Sequence, residues 1–175
     1  MYKNILITGL PGVGKTTLVK KLVEKVQDLH PVGFYTLEIR EKGHRQGFEL
    51  ISLDGKRGAL SHVNFKSPHR VGRYKVDVRR FEDFLASISF RDPFVRLIII
   101  DEIGKMECFS EKFQRLLIEL LDSEKWVIAT IAFQGTGLIN EVKRRDDVKI
   151  YEITEKSRDS VVSLILDESG WRTEG

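Results

Sequence analysis

The stretch "GLPGVGKT", Gly9–Thr16, stands between the apolar run "NILIT" and the segment "TLVKKLVEKV". It therefore occupies a turn that leads from a strand into a helix, and it satisfies the phosphate-loop pattern GxxxxGK[ST] at every defined position. Its glycines allow backbone N–H groups to wrap an anion, and the start of the helix adds partial positive charge. The stretch predicts a phosphate-binding turn in an α/β domain.

Several residues of this loop have an expected contact with a bound nucleotide. Lys15 supplies a mobile cation for the β- and γ-phosphates, Thr16 supplies a hydroxyl for the shell of Mg²⁺, and Thr17 is a further candidate contact for the α-phosphate. A glycine-rich turn with a capping threonine is the simpler interpretation, but it explains fewer positions. Mg²⁺ is therefore the expected cofactor, and the predicted nucleotide-binding residues of the loop are Gly9, Leu10, Pro11, Gly12, Val13, Gly14, Lys15, Thr16 and Thr17.

Short apolar strands alternate with amphipathic helices along most of the chain. The expected strands of the core are "KNILITG", "RLIIID", "WVIATI" and "VKIYEIT". The expected helices are "TTLVKKLVEKVQDL", with an apolar face from Leu18 to Leu29, "RRFEDFLASISF", "SEKFQRLLIELLDS" with Ser110 as N-cap, "LINEVKRR" and "SRDSVVSLILDE". This alternation predicts an α/β fold of the P-loop NTPase type, a three-layer sandwich with a mainly parallel sheet.

The middle of the chain has a different character. Two strand-like runs, "VGFYTLEIR" and "GFELISL", flank the turn "EKGHRQ" and predict an antiparallel hairpin. Residues 30–80 hold eleven Lys and Arg against five Asp and Glu, so this part is basic. We expect one domain over residues 1–175 with a basic, β-rich insertion at about residues 32–76. The charge is compatible with phosphate-bearing ligands, and nucleic acid is possible, but no nucleic-acid module supports it.

Two adjacent carboxylates end the buried run in "RLIIIDEIGKMEC", residues 96–108. A phosphate loop that holds Mg²⁺ and a triphosphate needs a carboxylate at the end of a neighbouring parallel strand, and Asp101 is the candidate. Together with Thr16, Asp101 is the predicted metal ligand. Glu102 is then left as the candidate base for a nucleophilic water. A salt bridge from Glu102 to Lys105 or to a phosphate-side lysine is the alternative.

Composition narrows the functional classes further. The single cysteine excludes an intramolecular disulfide, and the four histidines lack close metal-ligand spacing. The apolar runs are too short to cross a bilayer, and the N-terminus lacks the features of a secretory signal. We therefore expect a cytoplasmic protein with no membrane association. A protein partner is not indicated by the sequence.

Five segments resemble one known family. These segments are "GLPGVGKTTL", "GFYTLEIR", "GFELISLDGKRGALS", "VGRYKVDVRRFE" and "IIIDEIGKMECFSEKF". Their order and spacing resemble the cancer-related nucleoside-triphosphatase family, also described as thermophilic nucleotide phosphatases, from about Lys3 to Asp159. The resemblance implies Mg²⁺-dependent hydrolysis of ATP, GTP and other nucleoside triphosphates to the diphosphate and phosphate, with little discrimination among bases.

The resemblance also implies roles for residues outside the loop. Ile103, Gly104 and Lys105 would complete the nucleotide-binding set, with Lys105 reaching the γ-phosphate or a partner subunit, or else pairing with Glu107. Arg145 and Arg158 match arginine positions of the family, so either is a candidate arginine finger, although surface ion pairs are the ordinary role of such residues.

One loop departs from the family pattern. After "WVIATI" this chain has the short "AFQGTG", where the family tends to carry a loop with proline and lysine. Thr130, beside the phosphate loop, is the candidate to sense the γ-phosphate or orient water, with Gln134 assisting. A hydroxyl satisfied within the sheet is the simpler interpretation of Thr130.

A phosphate loop indicates that a nucleotide binds but does not say what accepts the phosphoryl group. Water is the first choice because Asp101 and Glu102 supply a metal ligand and a base. The alternatives are a nucleotide or polynucleotide kinase, whose acceptor lies on the basic middle section, and a nucleotide-gated adaptor that resembles the GTP-binding proteins of cofactor biosynthesis. We expect slow turnover because no strong arginine finger is evident.

Overall fold

The computed structural model describes residues 2–171, so the extreme ends of the predicted domain lie outside the described residues. The strands are β1 (Asn4–Thr8), β2 (Val32–Glu41), β3 (His44–Ser52), β4 (Arg57–His62), β5 (Arg70–Val71), β6 (Tyr74–Val76), β7 (Leu97–Ile103), β8 (Trp126–Ile131) and β9 (Val148–Glu152). The α-helices are α1 (Lys15–Lys25), α2 (Val78–Ala86), α3 (Glu111–Asp122), α4 (Leu138–Lys143) and α5 (Arg158–Ser169). None of the helices in this part of the chain combines the length and apolarity that a membrane crossing requires.

The strands form one sheet in the order β5-β6-β4-β3-β2-β7-β8-β1-β9. The half that contains β2, β7, β8, β1 and β9 is parallel, whereas β2 to β6 pair with one another in antiparallel fashion. Strand β2 belongs to both halves, because its first residues pair with β7 and the remainder pairs with β3. The predicted α/β fold and the antiparallel hairpin are confirmed.

Helices cover both faces of the parallel half, as alternating side chains on the strands show. On β1, Ile5 and Ile7 join an apolar cluster with residues of α1 and α5, while Leu6 points to a second cluster that includes residues of α2 and α3. Successive side chains of a strand point to opposite faces, so nearly every residue of β1 and β7 is buried. This double burial explains the continuous apolar runs in the sequence.

The ends of the helices follow local hydrogen bonding. Ser110 caps α3, as predicted, and its hydroxyl accepts a hydrogen bond from the Phe113 N–H at 3.0 Å.

The first helix was predicted to continue to Leu29, which is wrong. It ends at Lys25 and is followed by a separate 3₁₀ turn, leaving Leu29 40% exposed. The Gln27 side chain donates to the Glu24 carbonyl, which supplies a partner that the helix no longer provides.

The second helix is also shorter than its apolar pattern indicates. It ends at Ala86 rather than at Phe90. The Ser87 hydroxyl donates to the Phe84 carbonyl at 2.7 Å and satisfies an orphan carbonyl of the last turn. Phe90 is nevertheless buried, so its apolar character reflects packing outside the helix.

Gly33 marks the point where β2 passes closest to β7. A Cβ atom at Gly33 would lie 1.8 Å from the carbonyl oxygen of Ile99, in the centre of the sheet. Both Gly33 and Gly43 have a positive φ, of 148° and 81°, but a Cβ at Gly43, in the β2–β3 turn, would meet nothing within 4 Å. A comparison of the two glycines therefore isolates the steric requirement at Gly33 from the cost of a positive φ, which both positions share.

We predict that Gly33→Ala lowers the free energy of unfolding by about 3 kcal/mol, because backbone atoms of two central strands must separate. Gly43→Ala, the matched control, should cost about 1 kcal/mol from its left-handed backbone alone. Urea denaturation of both variants measures the difference. Equal destabilisation by the two substitutions would contradict this account of the β2–β7 contact.

Candidate nucleotide site

The predicted phosphate loop lies at the carboxyl edge of the parallel strands, between β1 and α1. Gly14, the residue before α1, has a left-handed backbone with φ of 102° and ψ of 30°. Only glycine adopts this conformation without strain. No side chain caps the helix, so the first N–H groups of α1 remain available to an anion.

Lys15 lies over the loop rather than in solvent. Its ammonium group donates to the Gly9 carbonyl at 2.9 Å, and only 10% of its side chain is exposed. The same ammonium is 3.8 Å from a carboxylate oxygen of Glu102. The cation therefore stands between the loop and the second acid, where the terminal phosphates of a nucleotide would lie.

Asp101 is almost fully buried, with 1% of its surface exposed. One carboxylate oxygen accepts from the Thr16 hydroxyl at 2.7 Å and the other accepts from the Thr130 hydroxyl at 2.5 Å. Thr36 on β2 adds two longer contacts, from its N–H and its hydroxyl, both at 3.4 Å. Burial raises the pKa of the Asp101 carboxyl, and the hydrogen bonds from Thr130 and Thr16 oppose that rise.

The pair formed by Thr16 and Asp101 suits Mg²⁺. A hydroxyl and a carboxylate oxygen are hard ligands, and one buried carboxylate with a single hydroxyl leaves coordination positions for water and phosphate oxygens. Among the described residues, no group of three His, Cys, Asp or Glu side chains is placed to hold a metal by itself. The donor set therefore fits a cation that binds together with a phosphate chain.

Glu102 has a different partner from Asp101. Its side chain is 32% exposed and lies opposite Lys15, so the expectation that the two adjacent acids reach different groups agrees with the geometry. Burial raises the pKa of the Glu102 carboxyl, the Lys15 charge lowers it, and the nearby Asp101 raises it again. The peptide bond that joins the two acids is cis. The alternative of a salt bridge to a phosphate-side lysine corresponds to the loose contact with Lys15.

A third carboxylate in the same place was not predicted. Glu107 is 4% exposed. Its carboxylate lies beside that of Glu102, as the surroundings of Gly104 show: a Cβ there would be 2.9 Å from a carboxylate oxygen of Glu107 and 2.7 Å from one of Glu102. Burial raises the pKa of Glu107 well above its ordinary value, with a further rise from the charge of Glu102. The signal in the sequence that could have indicated it is its position in "DEIGKME", two residues after Lys105.

Other predicted residues of this segment are divided between the cavity and the core. Lys105 is exposed and lines the cavity beside Glu102. In the described part of the chain, no ion pair joins it to Glu107. Ile103 is fully buried in the apolar core, so its side chain does not line the cavity.

Thr130 is completely buried and its hydroxyl is turned to Asp101 rather than to the open cavity. It lies on β8, which separates β1 from β7 in the sheet. Asp101 was expected on a strand adjacent to β1, which leads into the phosphate loop, and this is wrong because β8 lies between β7 and β1. Thr130 lies on this intervening strand, and its hydroxyl donates to Asp101. Gln134 lines the cavity beyond the end of β8.

The two candidate arginines lie at opposite edges of the sheet. Arg145 precedes β9 at the amino edge and forms hydrogen-bonded ion pairs with Asp122 and Asp147 at 2.6 and 2.7 Å. The structure therefore does not bring Arg145 to the phosphate loop, and the finger role within one chain does not fit its position. Arg158 does reach the loop, since a Cβ at Gly14 would lie 2.5 Å from its guanidinium.

A cavity of about 920 Å³ opens at the phosphate loop, and Ile103, Thr130, Arg145 and Arg158 are not among the described residues that line it. Its lining includes Lys15, Thr16, Asp101, Glu102 and Lys105 at the phosphate-loop end. Leu10, Pro11, Gly12, Gly14 and Thr17 also line it. The cavity continues from there along β2 towards the antiparallel strands.

Two known nucleoside-triphosphatases are similar to this chain over most of its length. The nucleoside-triphosphatase THEP1 of Thermotoga maritima is 47% identical over 164 residues, which cover 93% of this chain and 93% of that protein. The cancer-related nucleoside-triphosphatase of Homo sapiens is 37% identical over 182 residues, which cover 95% of this chain and 96% of that protein.

Solved structures agree with these relatives. The crystal structure of THEP1 from the hyperthermophile Aquifex aeolicus has a TM-score of 0.82 and 38% identity, and covers 94% of this chain and 98% of that one. The solution structure of a human cancer-related nucleoside triphosphatase also has a TM-score of 0.82, with 34% identity, and covers 98% of this chain and 99% of that one. A family model described as NTPase matches residues 4–166. The chain therefore belongs to this NTPase family, as the resemblance of its motifs predicted.

Proposed function

We propose that the protein hydrolyses nucleoside triphosphates to the diphosphate and phosphate, with Mg²⁺ as cofactor and with broad tolerance for the base. The observation that carries the proposal is the arrangement of Lys15 between the phosphate loop and Glu102, beside the buried pair of Thr16 and Asp101. The relatives that share most of the chain are named nucleoside-triphosphatases, which supports the same activity.

The phosphate chain would lie on the loop. The N–H groups at the start of α1 point towards this space, and Lys15 needs only to leave the Gly9 carbonyl to contact the β- and γ-phosphates. These contacts involve phosphate oxygens and not the base. ATP and GTP are therefore expected to serve as comparable substrates.

Thr16 and Asp101 are the residues that would hold Mg²⁺, with Asp101 acting directly or through a bound water. When bound, the cation would supply charge that neutralises the negative charge developing on the phosphate groups during transfer. Thr130 holds the second oxygen of Asp101 and so orients the carboxylate. The hydrogen bonds from Thr130 and Thr16 oppose the rise that burial causes in the pKa of the Asp101 carboxyl.

Glu102 would act on the water that attacks the γ-phosphorus. The water oxygen forms a bond to that phosphorus, the bond to the β–γ bridging oxygen breaks, and the diphosphate leaves with the electron pair. The proton of the water passes to the Glu102 carboxylate. Lys15, 3.8 Å from this carboxylate, then stands next to both the phosphate and the base.

We predict that Glu102→Gln lowers release of labelled phosphate from γ-labelled ATP and GTP by about 100-fold or more, because the amide cannot accept the proton. Lys15→Ala should lose turnover to a similar extent through loss of charge stabilisation. Glu102→Gln should retain nucleotide binding. Glu124→Gln, at a side chain that is 98% exposed, is the isosteric control and should behave as the native protein. Wild-type hydrolysis by Glu102→Gln would refute the assignment of the base.

A second prediction concerns Thr130. Thr130→Val keeps the side-chain shape but removes the hydroxyl that donates to Asp101, so the Mg²⁺ concentration for half-maximal hydrolysis should rise about tenfold or more. Thr8→Val is the matched control, since the Thr8 hydroxyl is buried on β1 but donates to the Ile131 carbonyl. Mg²⁺ titrations of both variants measure the effect. An unchanged requirement in Thr130→Val would argue against an orienting role.

A further inference from the structure

The cavity extends well beyond the groups that bind a triphosphate. Its volume of about 920 Å³ lies near the upper end of the range for ligand pockets, roughly 300–1,000 Å³. The part farthest from the phosphate loop is lined by Arg45, Phe48, Leu60, Val71 and Tyr74. These residues belong to the antiparallel strands, and the proposed hydrolysis uses none of them.

The order of the sheet shows which end of the nucleotide faces this space. Arg158 of α5 packs against Gly14 on one side of the phosphate loop. On the other side come Asp101 and Glu102 of β7, then β2, and then the antiparallel strands. In the proposed function, Glu102 is the base at the γ-phosphate. The far part of the cavity therefore lies on the γ-phosphate side, from which an attacking group enters.

Aromatic and apolar side chains dominate this far part. The rings of Phe48 and Tyr74 lie 5.6 Å apart at an angle of 71°, and the Arg45 guanidinium lies 5.3 Å from the centre of the Phe48 ring. Leu60 and Val71 complete the wall. A flat aromatic ligand would contact rings and a guanidinium plane here, which is the environment that binds nucleobases through stacking.

A small set of polar groups accompanies the rings. Arg45 forms an ion pair with Glu38, and both residues line the cavity. The Nε atom of Arg45 is buried and has no hydrogen-bond partner among the described residues. A carboxylate acceptor and an N–H donor beside these rings match the mixed donors and acceptors on the edge of a base. These features point to a heteroaromatic ligand rather than to a purely apolar one.

We propose that this part of the cavity is an acceptor site for a nucleoside, and that the protein transfers the γ-phosphoryl group to a nucleoside hydroxyl as well as to water. The inference rests on the proposed function, since the same loop and acids must bind and activate the triphosphate. The base would lie against the Phe48 and Tyr74 rings, which contact each other edge to face, and the sugar would extend along β2 towards Glu102.

The transfer balances without any further reactant. The hydroxyl oxygen of the nucleoside forms a bond to the γ-phosphorus, and the bond between that phosphorus and the β–γ bridging oxygen breaks. The diphosphate leaves with the electron pair, and the hydroxyl proton passes to the Glu102 carboxylate. A nucleoside monophosphate would instead attack through an ionised oxygen and would have no proton to give, so the presence of Glu102 favours a hydroxyl acceptor.

The test combines γ-labelled ATP and Mg²⁺ with adenosine, guanosine, cytidine, uridine or thymidine, one at a time, and separates labelled nucleoside monophosphate from free phosphate. We expect the native protein to form a labelled monophosphate with at least one nucleoside. Phe48→Leu and Tyr74→Leu, which remove a ring but keep an apolar side chain, should lower the ratio of transfer to hydrolysis about tenfold or more.

Two control variants distinguish loss of the acceptor site from a general effect on folding. Phe94→Leu removes a ring that is 90% exposed and precedes the amino end of β7, so its ratio of transfer to hydrolysis should equal that of the native protein. Tyr74→Phe keeps the ring and should retain most of the ratio. In the native protein, the accepted nucleoside should also raise the melting temperature in the presence of a non-hydrolysable triphosphate analogue.

The remaining outcomes separate the two proposals. Free phosphate without any labelled nucleoside overturns the acceptor site and leaves hydrolysis intact. Label that appears only on a 5′-hydroxyl oligonucleotide, included as a parallel arm, overturns the assignment to a small nucleoside. Absence of both labelled phosphate and labelled acceptor overturns the proposed function together with this inference.

Discussion

The hydrogen bonds that the buried Asp101 carboxylate accepts hold the site together. They come from Thr16 at the start of α1 and Thr130 on β8, with longer contacts from Thr36 on β2. Burial of a carboxylate is costly unless donors compensate, so these three elements are tied to the end of β7. The positions of the neighbouring Lys15 and Glu102 follow from that arrangement.

The two halves of the sheet contribute different groups of side chains to the cavity. The parallel half places the phosphate loop, the proposed metal ligands and the proposed base on one edge, because the carboxyl ends of parallel strands meet there. The antiparallel half adds aromatic and basic side chains that the phosphate chemistry does not require. Strand β2 belongs to both halves, and it is therefore the element along which a single cavity runs from one kind of chemistry to the other.

Much of the fold and part of the site could be predicted from local patterns. The phosphate loop, the α3 cap at Ser110 and the buried runs depend on residues close in sequence, and these predictions agree with the structure. The end of α1 was missed because a side chain replaces a helical hydrogen bond at Glu24. Arg145 was wrongly expected near the phosphates because the fold pairs it with Asp122. Glu107 was not predicted because its proximity to Glu102 appears only in the folded chain.

The sequence by itself determined the class of the fold, the phosphate loop and the presence of two acids near the end of a buried strand, because spacing and periodicity are properties of contiguous residues. Only the tertiary structure decided which strand separates Asp101 from the loop, which arginine reaches Gly14, and that a third carboxylate lies beside Glu102. It also joined the phosphate loop to Phe48 and Tyr74 in one cavity. Apart from the short turn after β7 that brings Glu107 back to Glu102, these facts depend on the lateral order of strands, and that order arises from packing between distant segments rather than from any local pattern.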